Sequence, residues 1–372
     1  MITSRLAFIS LPIPFRGAFG HASAVRTQAE NIIVLVEDAE GQFGIGEGCP
    51  RPYVTGESIE TAFAFLTRRR ADILSSVDGP EALDAWMNAN EAEIDANPSA
   101  FCAVELALLD LFSRQRTHSL EQLLGVGGQP SGLVTSAVYG SGGWLKFIAQ
   151  ALLLGLNGMH DAKLKVSGNC GRDNVRAALL STLGKVRLDA NNFWPDWGSA
   201  VKGLALSARH AWAVEEPVQP RDWAGMVRVA ETTGLSIILD ESFTRIDDIL
   251  AIPASGKFIL NLRVSKLGGL KRTLRALHMA ADRNLKVVVG AQVGETSILA
   301  RAGIIVAHEA GGALIGYEGA YGTHLLQWDA VTPSLTFGRG GKLSARNLAI
   351  EPLGAGLRPT AKILNLFARA PL

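Results

Sequence analysis

"DAKLKV" (161–166), "KVRLD" (185–189), "WAVE" (212–215), "LSIILD" (235–240) and "FILNLRVSK" (258–266) are apolar, strand-like runs that each deliver a charged residue. The charges are Lys165, Asp189, Glu215, Asp240 and Lys266, separated by 24, 26, 25 and 26 residues. Such an interval holds one strand, one crossover helix and two short loops. A repeated βα unit with a functional group at each strand end is the plan of a (β/α)8 barrel, which builds its active site on that face.

Working outward from these five runs, strand candidates fall at 134–139, 162–166, 186–189, 213–215, 236–240, 258–264, 286–289 and 313–317. Helical stretches such as "GRDNVRAALLSTLG" and "LKRTLRALHMAADRN" separate most of them. Val/Ile/Leu-rich strands alternating with amphipathic helices imply a parallel sheet, and eight such units imply closure into a TIM barrel. Ahead of them, "ENIIVLVEDAEGQFGIGEG" reads as a hairpin around Asp38–Gly41, and "PSAFCAVELALLDLFSRQ" as a helix entered at Pro98. The expected fold class is α/β: a barrel over 131–325, an α+β capping domain over 1–130, and a segment at 326–372 that packs back on the cap.

The 372 residues are 48% hydrophobic and 19% charged, with a net charge of +1. That balance argues against a nucleic-acid partner, which would call for a basic face. Cys49, Cys102 and Cys170 are widely spaced without C-x-x-C pairing, so reduced thiols are expected rather than a disulfide framework or zinc site. "MITSRLAFISLPIPF" does not read as a signal peptide, and no apolar run reaches the ~18 residues of a membrane span. A cytoplasmic, soluble enzyme with no membrane partner is expected.

Asp189, Glu215 and Asp240 sit on three successive strands, so their carboxylates can converge. Hard oxygen ligands without Cys or paired His select Mg2+, or Mn2+, over zinc. A single strand-end acid is more often a helix cap or a salt bridge; three at equal register, flanked by lysines, are not. Lys163 and Lys165, two apart on a strand, face the same way. Two ammonium groups beside a metal should depress each other's pKa, as a lysine base requires. Lys266, nearly across the barrel, suggests proton removal from one face of a carbon and delivery to the other.

The set "KLKV", "RLDAN", "VEEPV", "LDES" and "NLRVSKLGG", in this order, resembles the enolase superfamily, in particular its muconate-lactonizing subgroup within the mandelate racemase/muconate lactonizing enzyme family. "GIGEG" and "PYVTGES" resemble that subgroup's capping domain. The resemblance implies that Asp189, Glu215 and Asp240 are the Mg2+ ligands, with Glu216 a neighbour, and that Lys165 and Lys266 are the acid/base pair. It implies that Lys163 is an electrostatic partner of the substrate carboxylate and that Asn191 flanks the metal. The implied activity is removal of the proton α to a carboxylate through an enolate. The product would be an epimer, a racemate or a lactone; a dehydrated acid or an o-succinylbenzoate-synthase-like product is the alternative. The implied partner is a small-molecule carboxylate, and the implied assembly a homo-oligomer.

There are departures from the pattern. Arg263 replaces a common lysine, with only packing expected to differ. "GAQVGETS" carries one more residue than usual before Glu295, which leaves the parts of Glu295 and Gln292 open. "GYEGAYG" lacks the D-x-D of dipeptide epimerases, so amino-acid-like substrates are favoured over dipeptides. Substrate recognition is expected from two capping loops, 15–24 and 49–58, with Arg16, His21, Arg51 and Tyr53 as candidates. A Schiff-base aldolase and a ligand-binding barrel without turnover are the competing classes.

Overall fold

The computed structural model describes residues 3–21, 24–127, 132–140, 142–254, 257–343 and 353–369. Strands β1 (Thr3–His21), β2 (Ala24–Asp38) and β3 (Phe43–Gly48) form an antiparallel sheet in that order. Helices α1 (Ile59–Ser76), α2 (Pro80–Ala89), α3 (Glu91–Ala96), α4 (Pro98–Gln115) and α5 (Leu120–Leu124) follow. The expected hairpin and the helix entered at Pro98 are both present. Gly44, Gly46 and Gly48 alternate along β3, and a Cβ on any of them would lie 1.9–2.0 Å from a backbone oxygen of α4. The spacing of two puts all three on one face of the strand, so sheet and helix approach as closely as their backbones allow. "GIGEG" is therefore a packing motif.

The second layer alternates strand and helix. In order it comprises β4 (Ala137–Tyr139), α6 (Trp144–Leu156), β5 (Asp161–Lys165), α7 (Cys170–Ser181), β6 (Lys185–Asp189), α8 (Trp197–Leu204), β7 (Ala213–Glu215) and α9 (Trp223–Thr233). Then come β8 (Ser236–Leu239), α10 (Asp248–Ala251), β9 (Phe258–Leu262), α11 (Leu270–Asp282), β10 (Lys286–Val289), α12 (Ser297–Ala310) and β11 (Leu314–Tyr317). The eight strands pair in parallel in chain order. Ser136 N–H donates to the Tyr317 carbonyl at 2.7 Å, joining the first strand to the last. The first strand is shorter than expected, because Val134 forms a bridge with Lys342 instead of extending β4. Leu188, Val214, Ile237, Leu260 and Val287 are wholly buried, as strands covered on both faces must be.

The chain ends with α13 (Tyr321–Leu325), β12 (Val331–Thr332), β13 (Arg358–Pro359) and α14 (Ala361–Arg369). This segment returns to the first layer: Ala355 N–H donates to Asp110 at 2.7 Å and Arg114 to the Leu357 carbonyl at 2.8 Å.

Two buried glutamates of the first layer hold helices of the second. Glu47 on β3 accepts from Thr296 N–H at 2.9 Å, Thr296 Oγ1 at 2.7 Å and Leu299 N–H at 3.2 Å. Glu105 on α4 accepts from Leu270 and Lys271 N–H, each at 2.7 Å. These are the leading turns of α12 and α11, whose amides lack helical partners and favour an anion. Burial nevertheless pushes both carboxyls up to about 7, against the hydrogen bonds that favour charge. The scaffold under the barrel mouth is thus pinned from the cap side.

Candidate active site

Lys165, Asp189 and Glu215 are successive Cα partners across β5, β6 and β7, so three chemical groups stand at one level. Asp240 follows the last residue of β8 directly, and Lys266 lies in the turn after β9. All are buried. Lys163 Nζ lies 3.2 Å from Asp189 Oδ2, 2.8 Å from Glu215 Oε2 and 3.1 Å from Glu318 Oε1. Lys165 Nζ donates to Asp189 Oδ2 at 2.9 Å and to Asn191 Oδ1 at 2.7 Å. Arg263 pairs with Asp240 Oδ2 and lies 3.8 Å from Glu215 Oε1. Lys266 Nζ donates to Asp240 Oδ1, the Asp240 carbonyl and the Asn261 carbonyl, each at 2.9 Å.

These pairings set the charges. Burial alone would raise Asp189, but Lys163 and Lys165 hold it well below the usual carboxylate range. Burial pushes Glu215 up to about 7 against the pull of Lys163, with repulsion from Asp189, Glu318 and Asp240 adding to the rise. Burial opposes the charge on Lys163, yet Asp189, Glu215 and Glu318 keep it above its ordinary value. With no cation on these carboxylates, their pull on Lys163 exceeds the push of the neighbouring Arg263.

Among the described residues no three acids converge at metal-ligating distance. Lys163 bridges Asp189 and Glu215, and Arg263 bridges Glu215 and Asp240. The donor set still suits a hard divalent cation. It offers three carboxylates, and neither Glu215 Oε2 nor Asp240 Oδ2, both buried, accepts a well-oriented hydrogen bond. Glu216, by contrast, is saturated. It accepts from the N–H groups of Asp240 (2.6 Å) and Ser242 (2.7 Å), from Ser242 Oγ (2.7 Å) and from Asn192 (3.1 Å). Its work is to shape the turn that presents Asp240.

A cleft opens above this cluster. Lys163, Lys165, Asn191 and Tyr53 lie on its wall, as do Gln292, Arg263, Glu241 and Glu318; Val138, Val293 and Leu325 make its apolar side. Lys266 is not on the wall and has no exposed surface. Glu295 is also set back: its carboxylate accepts from Gln292 N–H at 2.6 Å and braces the wall from behind.

Among the described residues, Tyr53 is the one expected recognition residue that reaches the cleft. Arg51 is wholly buried and donates to the carbonyls of Glu30, Pro50 and Val293 and to Asn31 Oδ1. It locks the loop after β3 in place. Arg16 donates to the Leu326 carbonyl at 2.8 Å, which ties the hairpin tip to the chain's last segment. The side chain of His21 lies outside the described residues. Most of the expected loop at 15–24 is strand instead, since β1 runs on to His21 and β2 resumes at Ala24.

Three charged residues of the site escaped the sequence reading. Glu318 follows β11 directly and pairs with Lys163 and with Arg187 (2.9 Å). Arg187 is wholly buried and also pairs with Asp161 at 3.0 Å. Glu241, beside Asp240, lies on the wall, and its buried Oε2 has no hydrogen-bond partner among the described residues. Arg263, expected to differ from lysine in packing alone, is the ion-pair partner of Asp240.

The sequence matches two family models: the mandelate racemase/muconate lactonizing enzyme N-terminal domain over residues 8–125, and the enolase C-terminal domain-like model over 146–348. It is 27% identical to an aromatic dipeptide epimerase of Herpetosiphon aurantiacus, over 78% of this chain and 82% of that one. It is 26% identical to an N-succinyl-L-Arg/Lys racemase of Bacillus cereus, over 80% and 82%. A dipeptide epimerase of Cytophaga hutchinsonii, solved with Mg and the dipeptide D-Ala-L-Val, superimposes with a TM-score of 0.84 over 98% of both chains. At 23% identity that last likeness is one of fold. The chain belongs to the mandelate racemase/muconate lactonizing enzyme family of the enolase superfamily, whose barrel and cap it carries.

Proposed function

We propose that this chain is a Mg2+-dependent isomerase of the muconate-lactonizing subgroup, a racemase or epimerase that moves the α-proton of an amino-acid-derived carboxylate. The observation that carries the reading is the position of Lys165 on the cleft wall, one strand from Asp189 and level with Glu215. Asp189, Glu215 and Asp240 would hold the ion, which supplies positive charge to the substrate's carboxylate oxygens as the α-proton leaves.

The chain's own residues divide the rest of the work. Lys163, a buried cation on the wall, attracts the substrate carboxylate. Asn191 fixes the Lys165 ammonium by its hydrogen bond, so that the base meets the α-carbon from one side. Lys266 serves the opposite side when it leaves its acceptors on Asp240 and Asn261. Glu241 Oε2 lacks a hydrogen-bond partner among the described residues, and a polar group on the substrate's α-nitrogen would satisfy it. Such a group is present on an amino-acid derivative and absent from a hydrocarbon diacid. Glu318 is neutralised by Arg187 and Lys163, so it offers little to a distal ammonium. An N-acyl amino acid with an uncharged tail against Val138, Val293 and Leu325 is favoured over a dipeptide.

The test is incubation with Mg2+ in deuterated water, offering N-acyl amino acids, dipeptides and muconates separately. Deuterium at the α-carbon with loss of optical rotation is expected from an N-acyl amino acid. Turnover of muconates alone would contradict the reading.

One observation favours a second reading, cycloisomerisation with a single base. Lys266 is held by three acceptors and lies off the cleft wall. A reaction in which Lys165 carries the proton and Lys266 only balances charge would leave it there.

A further inference from the structure

Helix α6 reads "WLKFIAQALLLGL", with Lys146 its single charge. Phe147 and Ala151 point into the core. On the outward side Leu145 is 87% exposed and Leu156 81%, with Ile148, Leu152 and Leu153 more than two-fifths exposed between them. A surface helix normally carries polar residues on its solvent face. The neighbouring helix continues the patch: Arg176 of α7 lies over the ring of Trp144 at 5.3 Å, and Val175 and Leu179 of α7 are exposed beside it.

Taking roughly 150 Å2 for each fully exposed large apolar side chain, the lower end of the aromatic range, the eight apolar residues from Trp144 to Leu179 present on the order of 700 Å2. The largest apolar patch on a monomer is about 300–600 Å2. A stable interface takes about 800 Å2 from each partner. The geometry points to a second copy of this chain as the occupant, with the α6–α7 faces of two protomers packed against each other across a two-fold axis. A two-fold contact sets each residue against the same surface, so it needs a face that complements itself. A stripe of leucines without charge meets that need. A lipid surface fits less well, because a membrane-lying helix carries a basic rim, whereas α6 has a single lysine and Arg172 and Arg176 of α7 are engaged with the Gly142 carbonyl. The patch lies on the barrel's outside, and none of its residues lines the cleft.

The experiment is light scattering on the full chain at micromolar concentration, for the wild type, for Leu152→Glu/Leu156→Glu and for Leu145→Glu. The wild type is expected at twice 39.5 kDa or a higher multiple, and the double variant at a smaller assembly with its circular dichroism unchanged. Leu145 is so exposed that its substitution leaves the core intact, so this variant decides the matter if the double variant fails to fold. A wild type of 39.5 kDa overturns the proposal, as does an assembly that survives both substitutions. A monomer that floats with phosphatidylcholine vesicles overturns it in favour of a membrane contact.

Discussion

Lys165 and Asp189 are Cα partners on adjacent parallel strands, and the lysine ammonium donates to Asp189 Oδ2 at 2.9 Å. The group placed to take a proton and one of the groups placed to hold a metal are therefore direct neighbours. Asp189 and Asn191 together hold Lys165 Nζ in place as its hydrogen-bond acceptors. Any cation that takes over Asp189 weakens that hold. The placement of Lys165 Nζ and metal occupancy are coupled through one carboxylate.

Removal of divalent ions should accordingly abolish turnover, and added Mg2+ or Mn2+ should restore it. Asp240→Asn replaces a hard anionic ligand by a neutral amide and should weaken Mg2+ binding about ten-fold or more. Titration calorimetry reads this without reference to activity. Unchanged Mg2+ affinity in the variant, or full turnover in excess chelator, would contradict the assigned ligands.

Glu47 and Glu105 give stability a definite pH dependence. Each has a folded-state pKa near 7, against an ordinary value of 4.5. The folded chain therefore holds protons that the unfolded chain releases between those values. Their contribution is fully present below about pH 4.5 and is lost as pH rises through 7. Each group accounts for roughly 3 kcal/mol across that window. Tm should fall between pH 5 and 8, and Glu47→Gln should flatten the fall while lowering Tm at pH 5. A wild-type Tm that rises across this range would contradict the assignment.

Gly46→Ala should destabilise the cap strongly. The added Cβ would lie 2.0 Å from the Ala103 carbonyl oxygen, so β3 and α4 must separate. A loss of about 3 kcal/mol or more is expected by urea unfolding, at or beyond the upper end for overpacked cores. Stability equal to wild type would mean that sheet and helix are not in backbone contact.

The barrel was legible because its strands are short apolar runs, each interrupted by a charge that the hydrophobic effect alone would exclude. Charges at the ends of buried strands stand out; charges that serve the same cluster from elsewhere do not. Arg187 lies two residues before Asp189, so the period of two places it on the same side of β6. That was a usable signal for an interior cation. Glu318 had a weaker signal, a lone acid after the eighth strand in a glycine-rich stretch. Arg51 was misjudged because a polar residue in a loop looks solvent-facing, whereas this loop needs its guanidinium to satisfy buried carbonyls. "PIPFRGAFG" looks like loop because it is rich in proline and glycine, whereas Pro12–Pro14 and Phe19–His21 are strand through their pairing with β2. Lys266 is held back from the cleft by two acceptors on Asp240, after β8, and one on Asn261 of its own strand β9, an arrangement that no spacing in the sequence encodes.

The most direct test of the central claim, that Lys165 is a base at the α-carbon, is α-deuterium incorporation from deuterated water. It should be followed separately for each enantiomer of an accepted substrate in Lys165→Ala and in Lys266→Ala. Loss of a positioned acid/base should lower kcat by about three orders of magnitude in either variant. If the two lysines serve opposite faces, each variant still exchanges the α-proton of one enantiomer, through the lysine that remains. If Lys165 works alone, Lys165→Ala loses exchange with both enantiomers and Lys266→Ala retains exchange with one. Turnover and exchange at the wild-type rate in Lys165→Ala would contradict the claim outright.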